Sequence, residues 1–307
     1  MLVICALLID RILGEPRRYH PLVIWGHYLS FLETRLNNRR YSSGLLAWLL
    51  AQLPVLLLAL GLIQCLSIFQ QPWLVDGLAV LVLYLSVGWQ SLREHGLAVA
   101  EALQKSLVEG REAIAQIVSR DTETMTETDV ATAAVESILE NGADAIFSPI
   151  FWFLMGLILG GAKLALLLVL SYRMINTLDA MWAYKTPRLQ QFGYVSAKAD
   201  DIANYIPARF TAFTYALLGN TRQAFRCWRQ QATACSSPNG GPVMCAGAGS
   251  LSLSLGGGCY YHGQWQNKPK MGCGAVADRL SILRAIQLVD YAVYSWLLIV
   301  LGVGVFA

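Results

Sequence analysis

The chain alternates long apolar runs with blocks crowded with charge. Three runs, at about 44–69, 73–92 and 286–306, are long enough to cross a bilayer, because about 20 apolar residues in a helix match the hydrocarbon thickness. A fourth apolar run, 145–171, carries Pro149 near its start and Gly160-Gly161-Ala162-Lys163 in its middle. It reads either as one full span or as two short helical arms that meet at the glycines and return to the face they left. Backbone that re-enters in this way is tolerated where protein buries it.

Between these runs the periodicity changes. Leu97, Ala100, Leu103, Leu107, Ile114 and Ile117 recur at helical spacing, which predicts an amphipathic helix over 97–118. A second helix is predicted from Thr126 to Asp144, with Thr128 as N-cap, Asp129 at the positive helix start and Pro149 closing it off. The N-terminus is apolar from Leu2 to Ile9 and then meets Asp10 and Arg11. It has neither the basic lead nor the small-residue cleavage site of a signal peptide, and it is short for a full span. From Cys235 to Gly274 the chain is rich in Gly, Ser, Pro and Asn. Within that stretch, 246–251 reads as a tightly packed helix of small residues or as a loop.

Positive charge arbitrates the course of 145–171. Segments 11–43, 93–144 and 172–285 carry six, four and twelve Lys/Arg, all but Lys163 of the chain's 23. A spanning 145–171 would place the twelve opposite the other ten. A returning one places them all on one face, which the positive-inside rule makes cytoplasmic. The pattern favours a re-entrant hairpin at 145–171, with 93–144 and 172–285 forming a helical region on that face. The predicted class is an all-α polytopic integral membrane protein, with 1–307 as one membrane domain.

Composition agrees. The 307 residues are 55% hydrophobic and 14% charged, mean hydropathy is +0.47, and a soluble domain would carry about 25% charge. A formal net charge of +3 gives a nucleic-acid partner no electrostatic support. The seven cysteines form no CxxC pair and no evident disulfide frame. Cys245, Cys259 and Cys273 recur every fourteen residues, wider than the close ligand pairs of structural zinc sites. They read as buried or neutral thiols in a reducing compartment.

The densest polar stretch in this apolar chain is Tyr172 to Thr211, which holds Asn176, Asp179, Lys185, Lys198, Asp200, Asp201, Asn204 and Arg209. Such groups are costly in or beside lipid, so their density points to a polar site. On a helix Asp200 and Asn204 share a face, as do Asn176 and Asp179. Upstream, Glu136, Glu140 and Asp144 fall at i, i+4 and i+8, with Asn141 beside them. Like charges so spaced oppose a helix by about 0.2–0.5 kcal/mol per pair, a cost that bound Mg²⁺ would remove. Each motif taken singly also reads as solvated charge or helix capping. Three in one membrane protein favour a metal–phosphate site. Lys185, Arg188, Lys198 and Arg209 interleave with the acids and either pair with them or bind phosphate. The turn Ser237-Pro238-Asn239-Gly240-Gly241-Pro242 would let backbone N–H groups approach an anion or is a plain surface turn. The chain has no P-loop, HExxH or GxSxG, and 247–252 lacks the last glycine of GxGxxG. His20, His27, His95 and His262 form no ligand-like pair; His20 is the one to test.

Five blocks of residues, spanning nearly the whole chain in order, resemble the CobD/CbiB family, the adenosylcobinamide-phosphate synthases of cobalamin biosynthesis. The first is Asp10 with Gly14-Glu15-Pro16 and His20-Pro21. The second is Ser119-Arg120-Asp121-Thr122. The third is Val135-Glu136-Ser137, Glu140-Asn141 and Asp144, with Pro149. The fourth and most specific is Asn176-Thr177-Leu178-Asp179, Tyr184-Lys185, Phe192-Gly193, Asp200-Asp201 and Asn204-Tyr205-Ile206-Pro207-Ala208-Arg209. The fifth is Ser237-Pro238-Asn239 with Gly241, then Gly256-Gly257 and Lys268-Pro269. The chain departs from the family pattern at Glu15, where Asp is usual, and at Gly240, where Ala is usual. Cys235 and Ser236 stand where many members place a His.

The resemblance implies an enzyme of the cytoplasmic (inner) membrane with its active face cytoplasmic. Its reaction would be ATP-dependent amide synthesis between adenosylcobyric acid and an amino alcohol phosphate such as 1-amino-2-propanol phosphate, giving adenosylcobinamide phosphate. ATP would activate the carboxylate as an acyl phosphate or acyl adenylate, and the amine would then attack. On this expectation Glu136, Glu140, Asp144, Asp200 and Asp201 hold Mg²⁺, with Asn141, Asn176 and Asn204 in support. Lys185, Arg209 and Arg120 neutralise phosphate charge. Ser237, Asn239 and Gly241 bind a phosphate or the corrin's amide edge. Asp179 is a metal ligand or the base that deprotonates the amine. The expected partners are the two substrates, the bilayer and other membrane-bound enzymes of the pathway. A non-enzymatic sensor or scaffold of the same fold is the competing class. A transporter should carry its ionisable residues within the spans, where this chain has only Asp76 and Asp290 near span interiors or ends.

Overall fold

The computed structural model describes residues 1–16, 20–184, 186–261 and 263–306. The elements in chain order are α1 (Leu2–Leu13), α2 (Pro21–Leu36), α3 (Tyr41–Ile68), α4 (Pro72–Ser86), α5 (Trp89–Lys105), α6 (Leu107–Ala115) and α7 (Glu127–Gly142). A π-helical turn (Ala143–Phe147) then leads to α8 (Ser148–Trp182), α9 (Tyr194–Ala203), α10 (Tyr205–Leu217), α11 (Thr221–Gln231) and α12 (Gly240–Leu251). Three strands follow, β1 (Leu253–Tyr261), β2 (Gln264–Gly272) and β3 (Ala275–Val276), before the last helix, α13 (Arg279–Phe306). Four helical stretches, Tyr41–Ile68, Pro72–Lys105, Glu127–Trp182 and Arg279–Gly302, are long and apolar enough to cross a membrane. The protein is thus a mostly α-helical polytopic membrane protein. The chain divides into two compact units, Met1–Trp89 with Ser148–Asn204, and Gln90–Phe147 with Tyr205–Ala307.

The first unit is built on α3, α4 and α8. Helix α3 has Pro54 in its interior. Proline has no N–H, so the carbonyl of Leu50 loses its helical donor. The hydroxyl of Tyr28 on α2 supplies one, at 3.2 Å. Helix α2 starts at Pro21, where a missing N–H is harmless, and His20 caps it by accepting from the N–H of Leu22 at 3.2 Å. Leu29, Leu32, Ala47, Ala51, Leu178, Trp182 and Phe192 pack into one buried cluster that joins α2, α3 and the end of α8.

Helix α8 is not straight. Gly160 (φ −164°) and Gly161 (φ +71°) leave the helical region, and the chain reverses there. Gly161 lies in the left-handed region that favours glycine. The two arms then run so close that a side chain at Gly156 would meet the backbone of Ala165. The tip at Gly160–Lys163 lies beside the turn between α3 and α4, lining one pocket with Ser67, Gln70, Gln71 and Asp76. Pro149 does not close α7 off as its sequence position suggested: it follows the π-helical turn, and helical backbone runs on from Glu127 to Trp182.

The second unit differs from its sequence pattern in three places. The predicted helix 97–118 breaks at Ser106, whose side chain accepts from the N–H of Glu109 at 3.1 Å and starts α6. Helix α7 is capped by Thr126, not Thr128. Thr126 and Asp129 form a reciprocal capping box in which the Asp129 carboxylate also accepts from the Thr126 N–H at 2.9 Å. The third difference is the sheet, with order β2-β1-β3, which makes the fold mostly α rather than all-α. Its alternation is masked by Gly256, Gly257 and Gly258 in the middle of β1. The stretch 246–251 belongs to α12, a helix of small residues that is almost wholly buried. Gly247 lies against Leu139 of α7 and Gly249 against Ala224 of α11.

Replacing Gly156 by Leu should force the arms of α8 apart. Overpacking of this kind costs about 1–3 kcal/mol. The detergent-purified variant should melt several degrees below the wild type, whereas Gly77→Leu, with open space around Gly77, should not.

Candidate active site

In the first unit the polar stretch closes around one carboxylate. Asp200 sits on α9, and the side-chain amide of Asn204 donates to both of its oxygens at 3.0 Å. The amide of Asn176, on the second arm of α8, adds a longer contact at 3.4 Å. Asn204 is itself buried. Its carbonyl oxygen accepts from Ser148 Oγ at 2.7 Å and from the Tyr172 hydroxyl at 2.9 Å. Two hydroxyl donors on one end leave the NH₂ end to face Asp200, so the amide has a single consistent orientation. Arg173 fixes Asn176 in the same way, donating to its carbonyl oxygen at 3.1 Å.

Burial pushes the Asp200 carboxyl above the ordinary carboxylate range. The two amide hydrogen bonds oppose the rise and the neighbouring Asp201 adds to it. Asp201 is bonded to Lys198 at 3.1 Å. Asp179 lies half-buried one turn beyond Asn176 on α8. Lys185 lies outside the described residues. Of the expected set in this unit, the structure brings Asn176, Asp200 and Asn204 into contact. It adds Ser148, Tyr172 and Arg173, which the sequence reading did not assign.

In the second unit the acids of α7 have separate surroundings. Glu136 is buried and pairs with Arg120. Its other oxygen accepts from the backbone N–H of Gly256 at 2.8 Å. Gly256 is free to donate because β1 bulges between Leu255 and Gly257, with Gly256 at φ +81° and Gly257 at φ +99°. Burial disfavours the charged guanidinium of Arg120, but Glu136 outweighs that and raises its pKa. Where the sequence reading gave Glu136 a metal ion, the structure gives it a guanidinium and a backbone amide. Glu140 points toward Gly240 at the start of α12, since a Cβ there would meet its Oε1 at 2.9 Å. Asp144 lies in the π-helical turn, half-buried. Asn141 is exposed and bonds back to Ser137 at 2.9 Å.

Arg209 holds the 237–242 turn. It donates to the Asn239 side chain at 3.0 Å and to the Pro238 carbonyl at 3.1 Å, and lies 3.5 Å over the ring of Tyr205. Ser237 Oγ accepts from the N–H of Gly240 at 2.9 Å. At Gly241 a side chain would press on the carbonyl of Ala232. These residues order the start of α12. Among the described residues no group of three or more His, Cys, Asp or Glu side chains is arranged to hold a metal ion. The fourteen-residue cysteine spacing brings no trio together. Cys273 is 3.3 Å from Cys227 instead.

Long apolar helices, with preorganised polar side chains in each unit, define a polytopic membrane protein that carries a built polar site. A family model described as CobD/Cbib protein matches residues 3–289. The chain is 47% identical over 309 residues to a protein of Stutzerimonas stutzeri (strain A1501) named cobalamin biosynthesis protein CobD, covering 98% of this chain and 97% of that one. A protein of the same name from Chromobacterium violaceum is 44% identical over 307 residues, covering 95% and 92%. One from Mycobacterium tuberculosis (strain ATCC 25618 / H37Rv) is 33% identical over 295 residues, covering 93% and 90%. No solved structure matches the chain. The chain belongs to the CobD/CbiB family of cobalamin biosynthesis proteins.

Two outcomes follow from these contacts. Arg120→Ala leaves Glu136 buried without its cation, a loss of about 3–5 kcal/mol. Thermal melting in detergent should drop accordingly, and Arg120→Met with Glu136→Leu should recover most of it. Asp200 titrates the other way. Its folded pKa is raised, so its ionised form costs stability. That cost is absent below the ordinary carboxylate range, grows as pH rises toward the raised value and is constant above it. Asp200→Asn should therefore melt above the wild type near neutral pH, and the gap should close on acidification.

Proposed function

We propose that the protein joins adenosylcobyric acid to an amino alcohol phosphate, of the 1-amino-2-propanol phosphate type, in an ATP-dependent amide synthesis that gives adenosylcobinamide phosphate. The observation that carries this reading is the Asp200 carboxylate, held by Asn176 and Asn204 with Asp201 beside it, in a family of cobalamin biosynthesis. A carboxylate and an ammonium do not condense unaided in water. The carboxylate oxygen must first attack phosphorus of ATP, so that the oxygen later leaves as phosphate or AMP when the amine bonds to the acyl carbon. The chain's part in such chemistry is mainly positioning and electrostatics.

Mg²⁺ bound with phosphates uses one or two carboxylates, with water and phosphate oxygens completing its shell. The adjacent Asp200 and Asp201 fit that donor set and would hold the ion, which when bound neutralises developing phosphate charge. The raised pKa of Asp200 fits as well, because a cation restores the ionised form that burial disfavours. Asn176 and Asn204 orient Asp200, and Asp179 would serve as a metal ligand or take the proton that the ammonium loses before attack. Arg120 holds the hairpin through Glu136, and Arg209 holds the turn before α12. Lys185 is the remaining candidate for phosphate charge. The protein would work from the cytoplasmic face of the inner membrane: with 145–171 re-entrant, 22 of its 23 Lys/Arg fall on one face, which the positive-inside rule makes cytoplasmic. Other membrane-bound enzymes of the pathway are its expected neighbours.

The test is direct. Purified protein with adenosylcobyric acid, the amine phosphate, ATP and Mg²⁺ should yield a corrinoid heavier by the amine phosphate less water, with ADP or AMP formed in step. A corrin of unchanged mass would sink the reading in favour of a sensor or scaffold. Asp201→Ala should lower kcat by about a hundredfold, the order lost when one electrostatic contact to a transition state is removed. Wild-type turnover in that variant would take the Asp-Asp pair out of the site.

A further inference from the structure

From Ile202 to Ala277 the chain has six Lys/Arg and not one Asp or Glu. Three of the six fall on α11. Arg222, Arg226 and Arg229 stand at i, i+4 and i+7, so they share one face, and all three are exposed. Among the described residues none of them has a carboxylate within ion-pair distance. Arg226 donates to the neutral Gln230 at 3.4 Å. The other side of α11, at Ala224 and Cys227, is buried, with Ala224 against Gly249 of α12. Like charges at this spacing oppose a helix unless an anion offsets them. The row is therefore fitted to an anionic partner.

Its surroundings identify what carries the anion. On α10, Ile206, Phe210, Phe213 and Leu217 recur at i, i+4, i+7 and i+11, and each is exposed, an apolar stripe that faces away from the protein. Helix α10 sits at bilayer depth. Trp296, within the Arg279–Gly302 stretch that can cross a membrane, donates from Nε1 to Thr214 Oγ1 at 3.0 Å. The stripe passes into α11 through aromatic rings: Phe213 lies 5.8 Å from Phe225, which stacks on Trp228 at 6.1 Å. Phe225 and Trp228 are half-buried on the flank of α11 beside the arginines. Apolar stripe, aromatic pair and arginine row follow one another as a lipid interface does from hydrocarbon to headgroup. Arginine suits that position, because its stem lies along apolar surface while its guanidinium reaches phosphate.

We propose that α11 is an interfacial helix whose row of Arg222, Arg226 and Arg229 binds the phosphates of anionic phospholipid headgroups. The contact extends to the sheet. Gln231, at the end of α11, accepts from the Gly272 N–H at 2.7 Å and donates to the Gly272 carbonyl at 3.0 Å. An α11 held at the headgroups thus holds the end of β2 there too.

The experiment is hydrogen–deuterium exchange of the full-length protein, one copy per nanodisc, in discs of phosphatidylcholine and in discs of phosphatidylcholine mixed with phosphatidylglycerol. Amides of α11 should exchange about fivefold or more slowly in the anionic discs, the factor that one cation near such a surface supplies, while those of α7 should not differ. At about 1 M salt, where charges are screened within about 3 Å, the difference should shrink sharply. Arg222→Gln, Arg226→Gln and Arg229→Gln together should abolish it, and the matching triple lysine variant should keep most of it, which separates charge from misfolding. Equal exchange in the two kinds of disc would overturn the proposal, as would a glutamine variant that keeps the wild-type difference. The lipid and salt dependence of the wild type decides the matter even where the glutamine variant fails to fold. Inorganic phosphate that slows α11 equally in phosphatidylcholine discs would make the row a site for a free anion and overturn the lipid assignment. Slowing that appears only in discs loaded with two copies would overturn it in favour of an interface between copies.

Discussion

The reversal of α8 at Gly160–Gly161 is the constraint on which the first unit depends. Ser148 and Tyr172 are 24 positions apart, and on one straight helix they would be about 36 Å from each other. In the structure both donate to the same oxygen of Asn204. That convergence fixes the Asn204 amide, the amide fixes Asp200, and the same arm of α8 brings Asn176, itself held by Arg173, to one oxygen of the carboxylate. Gly156 is part of the same device, because only a residue without a side chain lets the arms approach this closely.

A second chain of dependence runs through Glu136. A buried carboxylate is costly unless paired and hydrogen-bonded. Here a guanidinium and one backbone N–H satisfy it, and that N–H is available only because β1 bulges at glycine. The hairpin therefore takes its place on α7 through a charge rather than through apolar packing alone. The two units thus reach preorganised polar groups by different means, one by folding a helix back on itself and the other by bending a strand.

Some expected site residues make contacts that order the protein itself. Arg209 spends its donors on the turn before α12 and its face on Tyr205, so it orders Asn239 and Ser237. Gly241 marks a close approach of backbone to Ala232, and Asn141 folds back on its own helix. The sequence could place these residues in family blocks, yet it could not say whether their polar atoms face inward or outward. The residues it passed over, Ser148, Tyr172 and Arg173, have ordinary local roles in a helix and gain importance only through partners far along the chain.

The membrane class, the long apolar helices, the glycine break in 145–171 and the family were legible in the sequence, because they rest on local composition, hydropathy and ordered motifs. The cap of α7 moved from Thr128 to Thr126 and the predicted helix 97–118 divided at Ser106, since several capping residues compete and packing selects one. The sheet was not legible, because glycines needed for a bulge hide its alternation. Tertiary structure alone decided which donor each buried carboxylate received. Pairings such as Glu136 with Gly256, or Asn204 with Ser148 and Tyr172, join residues whose proximity is fixed by the turn of α8 and the register of β1. No local pattern encodes them.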